Sequence, residues 1–200
     1  MSGFYAKGNL EMLKLGLILS LYASVSCAVL AVVNNFTAPR IQRNQEIKIA
    51  DSMKAFFPAG DCVFEKVNDY EPKKVGQADI ESIIIAKKEG VLAGGAVQVT
   101  GPTYDRGTIF VGMNVDGTLT GLKFLKLSDS PGFGLKANDP TFTLPSGNTF
   151  YGQFEGKNAK DGFISGTTFD AISGATITSN GIGNLLEAGT SVLFKYFEGL

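Results

Sequence analysis

The sequence contains no histidine and no tryptophan, and it has only two cysteines, Cys27 and Cys62. The absence of histidine excludes Ser-His-Asp and Cys-His catalytic systems, histidine-ligated zinc or haem, and a histidine pH switch. Two cysteines without a Cys-x-x-Cys motif exclude an iron–sulfur cluster held by this chain alone. Any redox chemistry of this protein would therefore need an organic cofactor.

Charge is also scarce. Charged residues make up 18% of the 200 residues, against about 25% in average soluble proteins, which indicates that part of the chain does not contact water. The 18 Lys and Arg residues nearly balance the 19 Asp and Glu residues. We therefore expect no nucleic-acid partner, because no basic surplus is present. Glycine is abundant, with 25 residues, and predicts many turns and β-structure.

One long apolar run lies near the N-terminus. Residues 15–33 contain no charged side chain, and a helix of this length spans about 28 Å, close to the hydrocarbon thickness of a bilayer. A core helix that is apolar on every face would need a larger protein around it. A cleaved signal sequence is the other alternative, since Lys7 and Lys14 precede the run, but more apolar residues follow Cys27 and no Ala-x-Ala site ends it. We expect a retained membrane anchor.

The chain after the anchor predicts a helix and then a series of strands. Ala38-Pro39 is expected to break or bend the spanning helix, and residues 41–56 have the pattern of an amphipathic helix that ends at Pro58. Glu89-Gly90 and Asp116-Gly117 are typical hairpin turns. Runs of β-branched or alternating residues predict strands at 82–87, 91–99, 108–113 and 119–127.

The C-terminal part predicts a loop at 128–149, a further strand at 163–169 and a helix at 179–197. The predicted fold class is α+β, with an antiparallel sheet flanked by helices after a single N-terminal transmembrane helix. We expect residues 1–37 to form the cytoplasmic start and the anchor, and residues 38–200 to form the folded domain.

The segment that precedes the last helix has the composition of an anion site. It reads Asp170-Ala-Ile-Ser-Gly-Ala-Thr176. Small residues allow a close approach of the backbone, and the free N–H groups at a helix start favour a phosphate. Thr176 adds a hydroxyl at that position. An ordinary helix cap, with Thr178 or Ser179 as the N-cap residue, explains the same residues equally well.

This segment resembles the flavinylation motif of FMN-binding domains, Asp-x-x-Ser-Gly-Ala-Thr. In that family FMN is joined through its phosphate, by a phosphoester bond, to the last residue of the motif. The resemblance therefore implies covalent FMN on Thr176, in a cofactor-binding segment that includes Asp170, Ser173, Gly174 and Ala175. It also implies a separate flavin transferase for maturation, because the chain shows no nucleotide-binding motif that could make the bond.

A second segment, residues 128–134, is similar to the Glu-Thr-Pro-Gly-Leu-Gly loop of the same family. It departs from that loop at three positions, which are Asp129, Ser130 and Phe133. It keeps the frame Pro131, Gly132 and Gly134, which implies that the loop lies against the flavin ring and that the proline fixes the turn. By contrast, residues 104–107 depart from the family's glycine-rich Gly-Tyr-Gly-Gly loop, so no cofactor contact is carried over to them.

Residues 132–137 also match the Gly-x-Gly-x-x-Ala fingerprint of dinucleotide-binding sites. Asn138-Asp139-Pro140 follows where that fingerprint needs a helix, and the predicted strands do not alternate with helices. We therefore expect no Rossmann-type nucleotide site.

Over the whole chain the resemblance is greatest to the G subunits of Rnf complexes, the membrane ferredoxin:NAD oxidoreductases that pump ions. It implies an electron-transfer subunit that is inactive alone and works with other integral-membrane and redox subunits. It also implies a single pass through the plasma (inner) membrane, with the FMN domain outside the cytoplasm; the flanking charges are too balanced to decide orientation. Two alternatives remain open: a C-type subunit of a sodium-translocating NADH:quinone reductase, and a membrane-anchored binding module without cofactor.

Overall fold

The computed structural model describes residues 2–58, 62–68, 70 and 72–199, with side chains described from Glu11 onward. The chain divides into two compact units, Met1–Ile47 and Lys48–Leu200. The first unit is helical throughout its described part, and the second contains a β-sheet, a long C-terminal helix and an irregular region between them.

The N-terminal helix α1 runs over Ser2–Phe56. In the described part of the chain it is the one helix long and apolar enough to cross a membrane, and its most apolar stretch is not buried by the rest of the protein. The expected break at Pro39 is wrong, because the helix continues through this residue. One proline removes a single N–H from the hydrogen-bond ladder, and the residues on both sides are compatible with a helix.

Six antiparallel strands form one sheet. The order is β1-β3-β4-β5-β6, with β2 paired to β3 beside β1. The strands are β1 Cys62–Lys66, β2 Lys73–Val75, β3 Ala78–Lys88, β4 Val91–Pro102, β5 Arg106–Asn114 and β6 Leu119–Leu127. The four predicted strands are confirmed as β3 to β6. Strands β1 and β2 were missed because they are short and half-exposed, so their residues lack a continuous apolar run.

Both predicted hairpin turns are present. Glu89 and Gly90 have φ values of 52° and 82° between β3 and β4, as a two-residue type I′ turn requires. Gly117, with φ 96°, lies in the turn between β5 and β6. Strands β3, β4, β5 and β6 therefore lie side by side in chain order. The C-terminal ends of β4 and β6 lie at the same end of the sheet, next to the start of β5.

The C-terminal helix α2, Thr176–Glu198, covers one face of the sheet. Its apolar residues Ile182, Leu185, Leu186 and Leu193 are all buried with side chains of β3 to β6. The predicted start at Ser179 is three residues late. The hydroxyls of Thr178 and Ser179 bond to groups other than a helix-capping N–H, so the helix can begin before them.

The last residues of α1 cover part of the other face. Met53, Phe56 and Phe57 pack against Phe110 and neighbouring small residues of the sheet, as the amphipathic pattern predicted. The rings of Phe56 and Phe110 are stacked with centroids 5.9 Å apart. The domain is therefore an antiparallel sheet with a helix on each face, and the predicted α+β class is confirmed.

Residues 128–175 form the irregular region, with three short 3-10 helices. The predicted strand at 163–169 is wrong. Gly166 has φ 78°, and Ser165 and Phe169 form only an isolated bridge across a tight loop. Phe163 and Phe169 bracket this loop, and both rings enter a buried aromatic cluster with Phe154. Burial of both ends produced a spacing that resembles strand alternation.

Candidate functional site

A cavity of about 570 Å³ lies where the β4–β5 loop, the loop after β6 and the start of α2 meet. This volume is within the range of small-molecule sites, roughly 300–1,000 Å³. Its lining residues are Tyr104, Ser130, Pro131, Phe133, Gly134, Gly174, Ala175, Thr176, Ile177 and Thr178. The two segments singled out from the sequence, 128–134 and 170–176, are thus neighbours in space although about 40 residues separate them.

Two similar turns shape the cavity wall. In the first, Phe133 N–H donates to the Ser130 carbonyl (3.3 Å) around Pro131 and Gly132, and Gly132 has φ 77°. Proline followed by a residue with positive φ is the pattern of a type II turn. In the second, Ala175 N–H donates to the Ile172 carbonyl (2.9 Å), and Gly174 has φ 80°.

The two turns lie next to each other. A Cβ atom on Gly174 would lie 3.5 Å from Cδ1 of Phe133. Gly174 also needs its positive φ, which other residues adopt only with strain. The glycine of the Ser-Gly-Ala sequence is therefore required by the turn, while a Cβ atom there would meet Phe133 only at ordinary van der Waals distance.

Helix α2 begins at Thr176 without a side-chain cap. Its first intrahelical bond runs from Ser179 N–H to the Ala175 carbonyl (3.0 Å). Among the described residues, no protein acceptor bonds the N–H groups of Thr176, Ile177 and Thr178. The ordinary-cap alternative, with Thr178 or Ser179 at the N-cap, is therefore wrong, and the positive end of the helix faces the cavity.

Ser179 instead fixes the turn to the helix from inside. Its buried hydroxyl accepts a hydrogen bond from Ile172 N–H (3.0 Å) and donates to the Ala175 carbonyl (3.1 Å). The side chain of Thr176 is exposed. The fold thus presents the Thr176 hydroxyl to solvent on a backbone that is held in place.

None of the ten cavity-lining residues carries a charged side chain. An anion in this cavity would therefore be held by backbone N–H groups, by the helix dipole and by hydroxyl groups rather than by lysine or arginine. Tyr104 and Phe133 add two aromatic side chains that are 64% and 58% exposed. Such side chains suit a flat, largely apolar ring system.

Asp129 is the residue of this region that sequence reasoning did not recognise as important. It is only 3% exposed, and its carboxylate accepts hydrogen bonds from Thr103 Oγ1 (2.5 Å), Thr178 Oγ1 (2.6 Å), Asp105 N–H (3.0 Å) and Tyr104 N–H (3.3 Å). Burial alone would raise the pKa of Asp129, but the hydrogen bonds from the two threonines and the two backbone groups outweigh it, and the pKa lies below its usual value.

Gly134 has a structural role in addition to lining the cavity. A Cβ atom there would lie 2.5 Å from Thr178 Oγ1 and 2.6 Å from Asp129 Cβ. The absence of a side chain at Gly134 therefore leaves room for the hydrogen bond between Asp129 and Thr178.

Three of the predicted site residues do not line the cavity: Gly132, Ser173 and Asp170. Gly132 and Ser173 are turn positions next to lining residues. The backbone of Asp170 is held by the buried Gln153 side chain, which accepts from Asp170 N–H (2.7 Å) and donates to the Asp170 carbonyl (3.1 Å). Both ends of the motif segment are thus fixed by buried polar side chains, Gln153 at one end and Ser179 at the other.

The cavity lies in an FMN-binding domain. Residues 104–191 match the family model of the FMN-binding domain, a range that includes every lining residue of the cavity. Residues 1–55 match the model of the RnfG N-terminal region. Together the two matches cover the anchor helix and the site.

Curated relatives are similar over most of the chain. The G subunit of the Na⁺-translocating ferredoxin:NAD⁺ oxidoreductase complex of Acetobacterium woodii is 30% identical, over 94% of this chain and 92% of that protein. The G subunits of the ion-translocating oxidoreductase complexes of Vibrio cholerae and Pseudomonas aeruginosa are 28% and 27% identical, over 84% and 86% of this chain and 84% of each relative. The chain belongs to the family of Rnf complex G subunits. It is a membrane-anchored protein with an FMN-binding domain.

Proposed function

We propose that this chain is an electron-transfer subunit of an ion-translocating ferredoxin:NAD⁺ oxidoreductase complex and carries FMN on Thr176 through a phosphoester bond. The observation that carries the proposal is the exposed Thr176 hydroxyl at the uncapped start of α2, beside a cavity of about 570 Å³. The match of residues 104–191 to the FMN-binding domain supports the same cofactor.

The cavity residues fit the parts of FMN. The N–H groups of Thr176, Ile177 and Thr178 suit the phosphate, because they have no other described acceptor and lie at the positive end of α2. The exposed rings of Tyr104 and Phe133 suit the isoalloxazine. When bound, FMN supplies the ability to accept and donate electrons.

Attachment requires a nucleophilic hydroxyl that another protein can reach. Thr176 Oγ1 would attack the FMN-side phosphorus of flavin adenine dinucleotide and form a new P–O bond. The phosphoanhydride bond of the donor would break, AMP would leave, and the hydroxyl proton would pass to a base of the transferase. The exposed position of Thr176, and of Asp170 and Ser173 before it, favours access by a separate flavin transferase. The fixed backbone of the segment would present the hydroxyl in one geometry.

Electrons would enter and leave through other subunits of the complex. In the described residues no cluster of metal-ligating side chains is present, and the 3-10 helix Gly134–Asn138 takes the place of the α-helix that a Rossmann site needs. A covalent tether would keep the cofactor in place while the domain exchanges electrons with its partners.

We expect the full-length chain, produced together with a flavin transferase, to purify as a yellow protein that is reduced by dithionite, is reoxidised by an artificial acceptor and does not oxidise NADH. The reason is that the chain offers a flavin site but no pyridine-nucleotide site. Stopped-flow absorbance in detergent measures both reactions. A colourless protein would favour a binding module without cofactor, and rapid saturable NADH oxidation by the lone chain would contradict its role as one component of a larger complex.

We also propose a single pass through the plasma (inner) membrane, with residues 38–200 outside the cytoplasm. The family relationship supports this orientation, and α1 supplies the span. A C-terminal alkaline phosphatase fusion in a bacterial host is expected to be active, while the corresponding green fluorescent protein fusion stays dark. A bright fluorescent fusion together with an inactive phosphatase would reverse the proposed topology.

A further inference from the structure

The cavity wall is built from three separate segments, and Asp129 bonds to two of them from within the third. Thr103, Tyr104 and Asp105 belong to the β4–β5 loop, and Thr178 belongs to the first turn of α2. Asp129 itself lies directly before the Ser130–Gly134 part of the wall. No other described side chain joins these segments by hydrogen bonds.

The carboxylate of Asp129 is arranged as a fixed negative charge. All four of its partners donate hydrogen bonds, and two of them are short contacts from threonine hydroxyls (2.5 and 2.6 Å). Hydrogen bonds to a charged acceptor are among the stronger ones in proteins. Because the side chain is only 3% exposed, its oxygens bond to protein groups rather than to bulk water.

We propose that Asp129 is the positioning residue of the cofactor cavity, and that its buried negative charge lowers the midpoint potential of the flavin held there. The inference rests on the proposed function. Its geometric basis is that Gly134 and Thr178, which both line the cavity, are the immediate neighbours of the carboxylate. A nearby negative charge opposes the addition of an electron, and a poorly screened charge does so more strongly.

The positioning role acts on Thr176 through the helix. Thr178 lies two residues after Thr176 in the first turn of α2, so the bond to Asp129 fixes where that turn lies relative to both loops. A helix start that moves would present the Thr176 hydroxyl in several geometries. Flavin attachment is therefore expected to depend on Asp129 although this residue does not touch the hydroxyl.

The variant Asp129→Asn tests both parts. Asparagine has nearly the same side-chain shape as aspartate but no charge. Its amide nitrogen replaces one carboxylate oxygen and cannot accept the hydrogen bonds that this oxygen accepts. We expect the midpoint potential of the flavin-loaded full-length chain to become more positive. We also expect the rate of flavin attachment, followed by in-gel fluorescence with a flavin transferase and flavin adenine dinucleotide, to fall by roughly tenfold or more, since the strength of charged hydrogen bonds corresponds to at least this factor.

Two further variants separate position from charge. Thr103→Val removes one bond to the carboxylate but keeps the charge, and Thr103 does not line the cavity. Asp129→Glu keeps the charge and moves it by one methylene. Thr103→Val is expected to slow attachment and to lower the melting temperature while the midpoint potential stays at the wild-type value. Asp129→Glu is expected to slow attachment too, and to shift the midpoint potential less than Asp129→Asn does, because the charge is moved but not removed. They also keep the inference testable when Asp129→Asn does not fold.

The melting temperature of unlabelled protein gives a readout that does not need the cofactor. We expect Asp129→Asn to lower it more than Thr103→Val, because all the bonds to the carboxylate are weakened rather than one. The proposed effect of the charge would be refuted if the midpoint potentials of wild type and Asp129→Asn were equal. It would also be refuted if Asp129→Asn and Thr103→Val shifted the midpoint potential equally. Unchanged melting and attachment would overturn the positioning role. A wild-type chain that accepts no flavin would instead count against the proposed function, with the melting data still testing the positioning.

Discussion

Replacing Thr176 with alanine is expected to abolish covalent FMN while leaving the fold intact. The variant lacks the hydroxyl that would form the phosphoester bond at the first position of α2. The side chain is exposed, and among the described residues it forms no hydrogen bond, so its removal costs the core little. In-gel flavin fluorescence of denatured protein measures the loss, and the melting temperature measures the fold.

Two matched variants sharpen this test. Thr176→Ser keeps a hydroxyl at the same position and is expected to retain flavin, although less efficiently. Thr167→Ala removes an equally exposed hydroxyl from another loop and is expected to be labelled like wild type. In the assembled complex, Thr176→Ala is expected to stop ferredoxin-dependent NAD⁺ reduction without loss of subunits. Fluorescence that survives in the alanine variant, or full turnover by the complex that contains it, would refute the assignment of Thr176.

The sequence predicted the parts of the fold that depend on local patterns. Strands β3 to β6 each combine β-branched residues with a turn signal such as Glu89-Gly90, and α2 carries an apolar stripe at helical spacing. The predictions failed where tertiary contacts decide. The segment 163–169 looked like a strand because Phe163 and Phe169 are both buried, yet they enter the aromatic cluster from a loop. Short, half-exposed β1 and β2 gave no pattern at all.

The site was predictable only as two motifs. The sequence identified Pro131, Gly134 and the residues around Thr176, but only the family resemblance, which assigns both segments to the same flavin, implied that they meet. Asp129 stands in a Ser-Asp-Ser sequence that is typical of an exposed turn. Its importance comes from partners about 25 and 49 residues away, and contacts of that range leave no trace in a local pattern.

Gly181→Val is expected to destabilise the domain strongly. Gly181 lies where α2 crosses the end of β4, and a Cβ atom there would lie 2.7 Å from the Pro102 carbonyl oxygen and 2.7 Å from Thr103 Cα. Valine improves on glycine in a helix by roughly 0.5 kcal/mol. Overpacking costs about 1–3 kcal/mol, and more when the opposing atoms are backbone that cannot change rotamer. The clash therefore outweighs the helix propensity.

The displacement would also reach the candidate site, because Thr103 donates to Asp129 and the first turn of α2 lines the cavity. We expect Gly181→Val to melt at a clearly lower temperature and to accept little flavin, with Gly181→Ala intermediate in both. Asn180→Val places the same side chain on the exposed side of the same turn and is expected to resemble wild type. If Gly181→Val melts and is labelled like wild type, α2 does not lie against β4 as closely as described. The geometry of the Thr176 site would then be wrong too, because the contact between α2 and β4 sets the position of the helix start.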